Sequence, residues 1–205
     1  MSLSFFFANL SNPVPKCFPK LGLVKSIDFL MQWRLRNKPA VDREVRGGKL
    51  SGAGLVAFLY DHRDEAQFRL IRKWAEKLCA EREVGRVVRF VYVPLPEKQL
   101  PHFYFQKRDE MYLCRSDWSL FREPRGAVAG FDTTPWDLLV CLEPSPSLPL
   151  QYIMWSSQAR MKVGSSQRIR PGDCDVLIVP QPGETAAVFS QRSLEFLLNT
   201  PMVSP

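Results

Sequence analysis

Apolar residues fall along this chain in two alternating patterns, continuous short runs and runs spaced at every third or fourth position. LVAFLYD (residues 55–61) is a continuous apolar run closed by an acid, which is how a parallel strand buried on both faces reads. After the short connection of residues 62–64, Phe68, Ile71, Trp74 or Ala75, and Leu78 recur at helical spacing. Gly85 is read as the close of that helix, and VVRFVYVPL (residues 87–95) as a second strand stopped by Pro94 and Pro96. Strand, helix and strand make a βαβ unit, whose right-handed crossover sets the two strands parallel and begins a doubly wound sheet.

Further along the pattern thins, with a short strand expected at residues 111–114. It returns at WDLLVCLE (residues 136–143), followed by a proline-rich loop and a helix over residues 150–160 that ends before Lys-Val-Gly. CDVLIVPQ (residues 174–181) is another strand, and SQRSLEFLLN (residues 190–199) a closing helix with Ser190 as its N-cap. The fold class expected is α/β: one Rossmann-like domain over residues 50–200, its mostly parallel sheet of four or five strands carrying helices on both faces. Before it, SIDFLMQWRLRNK (residues 26–38) has helical spacing, a Ser26 cap and Pro39 at its end, within a segment of helix and linker at residues 25–49. Residues 1–24 read as an extended or disordered arm.

Composition supports a folded domain: 205 residues, 45% hydrophobic and 24% charged, match an ordinary globular chain. The net charge of +7 is uneven, because residues 1–50 hold nine Lys or Arg against three acids and so carry +6, leaving a nearly neutral body. Arg34, Arg36 and Lys38 end the basic helix, where cations complement the helix dipole and also present a surface to an acidic protein or another anionic partner. A nucleic acid is the less favoured partner, since phosphate binding would rest on that segment alone. Five cysteines at irregular spacing, without a CxxC pair, fit a reducing compartment, and the localisation expected is cytoplasmic. No run approaches the length of a membrane span, and the N-terminus lacks the marks of a signal peptide.

The runs SDWSLFREPRG and WDLLVCLEPSPSLPLQYIMWSSQARMKVG resemble a family of small bacterial proteins, domain of unknown function 6913. The resemblance covers about residues 25–200 and implies a basic N-terminal helix, a late "DL" strand at residues 137–142, and a small-and-basic turn at residues 157–164 that closes the following helix. Cys141 stands where that strand motif usually has an acid, so a carboxylate role is not carried over to it. The same strand, helix and turn are similar to part of the N-terminal half of heptosyltransferase-type glycosyltransferases, which implies a degenerate sugar-nucleotide-binding fold without implying activity.

Signature chemistry is missing from the expected places. The turn after the first strand is DHRDE instead of GxGxxG, and no P-loop lysine motif occurs. Two histidines, His62 and His102, leave little for a metal site or a triad, so no cofactor, metal or catalytic residue is assigned. Asp61 and His62 lie where open α/β sheets place ligands, although polar residues at a strand end are also ordinary loop chemistry. Arg115, Asp117 and Trp118 mix cation, acid and aromatic, as a binding groove does and as an ion pair beside a packed indole also does. Three functions are weighed: a non-catalytic domain binding a partner through the basic segment; a degenerate enzyme or sugar-nucleotide binder using the edge near Asp61, His62 and Glu143; and an RNA-binding protein.

Overall fold

The computed structural model describes residues 33, 37, 41, 43, 50, 52–81, 83–95, 109–118, 131 and 133–200. Strand β1 (Ala53–Asp61) is buried from Val56 to its end, as a run without polar interruption must be when both its faces are covered. Helix α1 (Glu65–Ala80) follows, started by the Asp64 carboxylate, which accepts from the Ala66 N–H at 2.9 Å. Its buried stripe is Gln67, Ile71, Ala75 and Leu78. Strand β2 (Val84–Val93) pairs parallel with β1, and β3 (Glu110–Cys114) adds outside β2. Strand β4 (Leu138–Cys141) pairs with the other side of β1. Helix α2 (Leu148–Ser156), β5 (Met161–Ser165), β6 (Val176–Ile178) and α3 (Ala186–Asn199) complete the order.

The sheet has six strands in the order β3-β2-β1-β4-β5-β6, every pair parallel. This is the doubly wound Rossmann order, in which the chain reverses direction across the sheet between β1 and β4. Val56, Phe58 and Tyr60 point to one face, packed with Ile71 and Leu78 of α1 and Phe189, Leu194 and Leu197 of α3. Ala57 and Leu59 point to the other, packed with Leu150, Ile153 and Met154 of α2 and with Trp118, Phe131 and Trp136. Phe90 meets Phe131 edge-on at 4.6 Å in that second layer, and Phe131 stacks on Trp136 at 5.1 Å.

Four expectations need correcting. The sheet has one strand more than the four or five expected, and the extra strand is β5, where residues 157–164 were read as the closing turn of a helix. Lys162 and Gly164 hide it, since neither favours a strand, yet all five residues of MKVGS are buried. Lys162 is tolerated because its ammonium donates to the Met154 carbonyl at 2.8 Å, binding the orphan end of α2. Helix α2 stops at Ser156, not at residue 160. Helix α3 begins at Ala186, where Thr185 Oγ1 accepts from Val188 N; Ser190, the expected cap, is buried inside the helix. Gly85 belongs to β2, where a Cβ would lie 2.6 Å from the Gly54 carbonyl oxygen; close contact between β1 and β2, not a helix end, calls for glycine there.

Trp33 and Asn37 are helical, and the Asn37 side chain donates to the Trp33 carbonyl at 2.9 Å. Arg34, Arg36 and Lys38 lie outside the described residues. Arg43 of the same basic segment is docked on the domain: its guanidinium donates to the Ala159 and Arg160 carbonyls at 2.9 and 3.2 Å and reaches Asp175 at 2.6 Å. No helix among the described residues is long and apolar enough to cross a membrane.

Candidate functional site

The end of β1 and the end of β4 diverge into separate connections, and the crevice outside them is where open α/β sheets take ligands. Asp61 closes β1 and is 1% exposed; Glu143 follows β4 and is 5% exposed. Two buried acids at one point demand compensation. Asp61 receives it from the start of α2: Ser147 Oγ donates to its Oδ1 at 2.6 Å and Ser147 N–H to its Oδ2 at 3.2 Å. Ser147 therefore stands at the N-cap of α2 while its hydroxyl serves the carboxylate. Arg63, with its side chain 57% exposed, reaches the same Oδ2 at 3.1 Å.

Glu143 has thinner support. Its Oε2 takes two long contacts of 3.4 Å, from Asp61 N–H and from Gln67 Nε2. Gln67 is fully buried on α1, and its amide N–H₂ also donates to the Leu142 carbonyl at 2.8 Å and to Ser190 Oγ at 3.1 Å. Its Oε1 has no hydrogen-bond partner. Burial, then the charge of Asp61, pushes the Glu143 carboxyl up to about 7, and burial raises Asp61 as well against the pull of Ser147 and Arg63. A carboxyl that titrates at about 7 is able to accept or donate a proton near neutrality.

Both helix starts beside this crevice are already occupied by carboxylates. Asp64 caps α1, with Glu65 in its first turn, and Asp61 accepts the N–H of Ser147 at α2. The positive helix ends that would cradle a phosphate are thus neutralised from within.

Of the residues singled out in the sequence, Asp61 lies in this site and His62 borders it, its ring set edge-on to Phe68 at 5.3 Å. Arg115, Asp117 and Trp118 are sent to different tasks. Asp117 accepts from Cys114 N–H at 2.6 Å to fix a single helical turn, Trp118 is buried against Tyr152, and Arg115 is exposed. Gln67 and Ser147 are residues of this site that the sequence pattern does not single out, although Gln67 is a polar residue on the apolar stripe of α1 and Ser147 precedes Leu-Pro, a helix-start signature. Among the described residues no cluster of His, Cys, Asp and Glu is suited to hold a metal ion. A cavity of about 560 Å³ opens at the opposite edge of the sheet, between α1 and β2. Arg86 there bonds Asp109 at 2.7 Å, and Arg89 lies 3.3 Å from Glu110 in an ion pair that makes no hydrogen bond.

No curated protein matches the chain. Among solved structures it is similar to a glycosyl transferase family 9 protein from Veillonella parvula DSM 2008, at 15% identity and a TM-score of 0.46 over 75% of this chain and 43% of that one. It is also similar to the E. coli heptosyltransferase WaaC with ADP, at 10% identity and a TM-score of 0.40 over 74% of this chain and 48% of that one. The chain thus spans less than half the length of either structure. The family model that matches residues 28–197 is that of DUF6913, and with most of the chain inside that match, this protein belongs to the DUF6913 family of unknown function.

Proposed function

We propose that this chain is a binding domain whose ligand is taken at the carboxyl edge of the sheet, in the crevice outside β1 and β4. One observation carries the reading: Asp61 and Glu143 are buried together at the strand reversal, where the fold gains nothing from an under-supported carboxylate. Groups so costly to bury, with titration moved toward neutrality, are those that sites retain for use. A screen of small molecules by thermal shift tests it. Compounds that stabilise the wild-type chain should lose their effect on Asp61→Asn and Glu143→Gln; ligands that stabilise all three proteins equally would place binding elsewhere and overturn the reading.

A second reading keeps the basic segment as a handle for an acidic protein or an anionic surface, favoured by Trp33, which is 61% exposed within it. Capture of partners by the full chain and by the triple variant Arg34→Ala, Arg36→Ala, Lys38→Ala checks this, with loss of the same partner expected if the segment binds it. The four described cysteines are all free thiols, which supports a reducing, cytoplasmic setting.

A further inference from the structure

The chemistry of the carboxyl-edge crevice restricts what it can take, provided the reading above places the site correctly. Asp61, Glu143 and Gln67 meet through Glu143, whose Oε2 lies 3.4 Å from both Asp61 N and Gln67 Nε2. The donors nearby are already spent. The Ser147 hydroxyl and N–H go to Asp61, and the two N–H bonds of the Gln67 amide are shared among Leu142, Ser190 and Glu143. What remains is Gln67 Oε1, an acceptor on a fully buried side chain with no hydrogen-bond partner. Native interiors rarely leave such an atom unmatched, and a donor supplied from outside the chain would match it.

The charge that balances the two acids arrives from the surface. Arg63 reaches Asp61 Oδ2 at 3.1 Å with a side chain 57% exposed. Its backbone sits in a turn held on both sides, by His62 N–H on the Tyr92 carbonyl and by Asp64 at the start of α1, while the side chain lies at the surface. We propose that the crevice is a receptor for a nitrogen cation, the primary ammonium or guanidinium group of a small molecule, which displaces Arg63 from Asp61, lies against Glu143 and donates to Gln67 Oε1. A phosphate would meet Asp61 and Glu143 together. A neutral polyol would leave the acids uncompensated once Arg63 moved, and a divalent metal would find no third anionic ligand among the described residues.

The test is a titration of the full chain followed by amide NMR, with agmatine and putrescine as cationic probes and myo-inositol, inorganic phosphate and magnesium as contrasts. Agmatine or putrescine is expected to shift the Asp61, Ser147 and Gln67 signals saturably. The charged groups facing Glu143 and Asp61 are each other, Arg63 from the turn after β1, and Arg168 from the loop after β5. With Glu143 titrating at about 7, a cation that requires its ionised form binds about tenfold more tightly at pH 8 than at pH 6. Glu143→Gln should weaken binding at least as much, and Arg63→Ala should strengthen it by removing the competitor, with melting curves verifying that both variants fold. If inositol, phosphate or magnesium shifts these signals and the cations do not, the cation class is overturned while the site stands. Weaker cation binding by Arg63→Ala also overturns it. If no probe shifts them and the screened ligands ignore Glu143→Gln, the site itself falls.

Discussion

Glu143 is the residue with the clearest measurable signature. Its folded carboxyl titrates at about 7 against an ordinary value of 4.5, so the folded chain takes up its proton before the unfolded chain does. The resulting stabilisation is fully present below pH 4.5 and is lost as pH rises through about 7. Asp61, also raised, acts in the same direction. Denaturant unfolding should accordingly show greater stability at pH 5 than at pH 8, and Glu143→Gln should flatten that slope and add roughly 1–3 kcal/mol at pH 8. Lys162 acts at the other end of the scale. Burial, then the nearby Arg43, lowers it to about 8, so its contribution is present above 10.5 and is lost as pH falls through 8. Single residues were only partly legible in the sequence. Asp61 ends an apolar run and announces itself, whereas the environment of Glu143 depends on Gln67, brought from α1, which lies 76 residues away along the chain.

At the level of elements, the start of α1 and the contact of β1 with β2 are the sensitive points. Asp64→Ala removes the carboxylate that accepts from Ala66 N–H, and a loss of about 1 kcal/mol in unfolding free energy is expected, with reduced amide-exchange protection in the first turn of α1. Gly85→Ala places a methyl 2.6 Å from the Gly54 carbonyl, a backbone atom with no rotamer to yield. A cost of roughly 1–3 kcal/mol follows, read as a lower thermal midpoint. Strands β1 and β2 were legible because each ends in a continuous buried run, and helix α1 because its buried stripe recurs at helical spacing. Strand β5 was not, since its lysine is accommodated by the carbonyls of a helix that precedes it, a tertiary favour that no local pattern records. Gly85 misled for a related reason: glycine after a helix reads as a stop, and only the neighbouring strand shows why it is there.

For the whole molecule, Arg43 of the basic segment and the candidate site lie at opposite edges of the sheet. Arg43 docks where β5 and β6 begin, while Asp61 and Glu143 lie where β1 and β4 end. Arg43 spreads its guanidinium over two carbonyls and a carboxylate with 8% of the side chain exposed, so part of the charge counted as free in the sequence is structural. Arg43→Ala should lower stability by about 2 kcal/mol, and Arg43→Lys should recover little of it, because an ammonium cannot match the planar fork. The strand order bears on how the chain is made as well as on what it binds. The partner on one side of β1 is β2, close behind it in sequence, but on the other side Val56 waits for Leu138. A nascent chain halted on the ribosome before β4 emerges would hold one whole edge of its central strand open, apolar and unpaired. The seconds of synthesis between β1 and β4, and the protection offered by chaperones during that interval, thus matter more to this protein than to one whose neighbouring strands follow in turn.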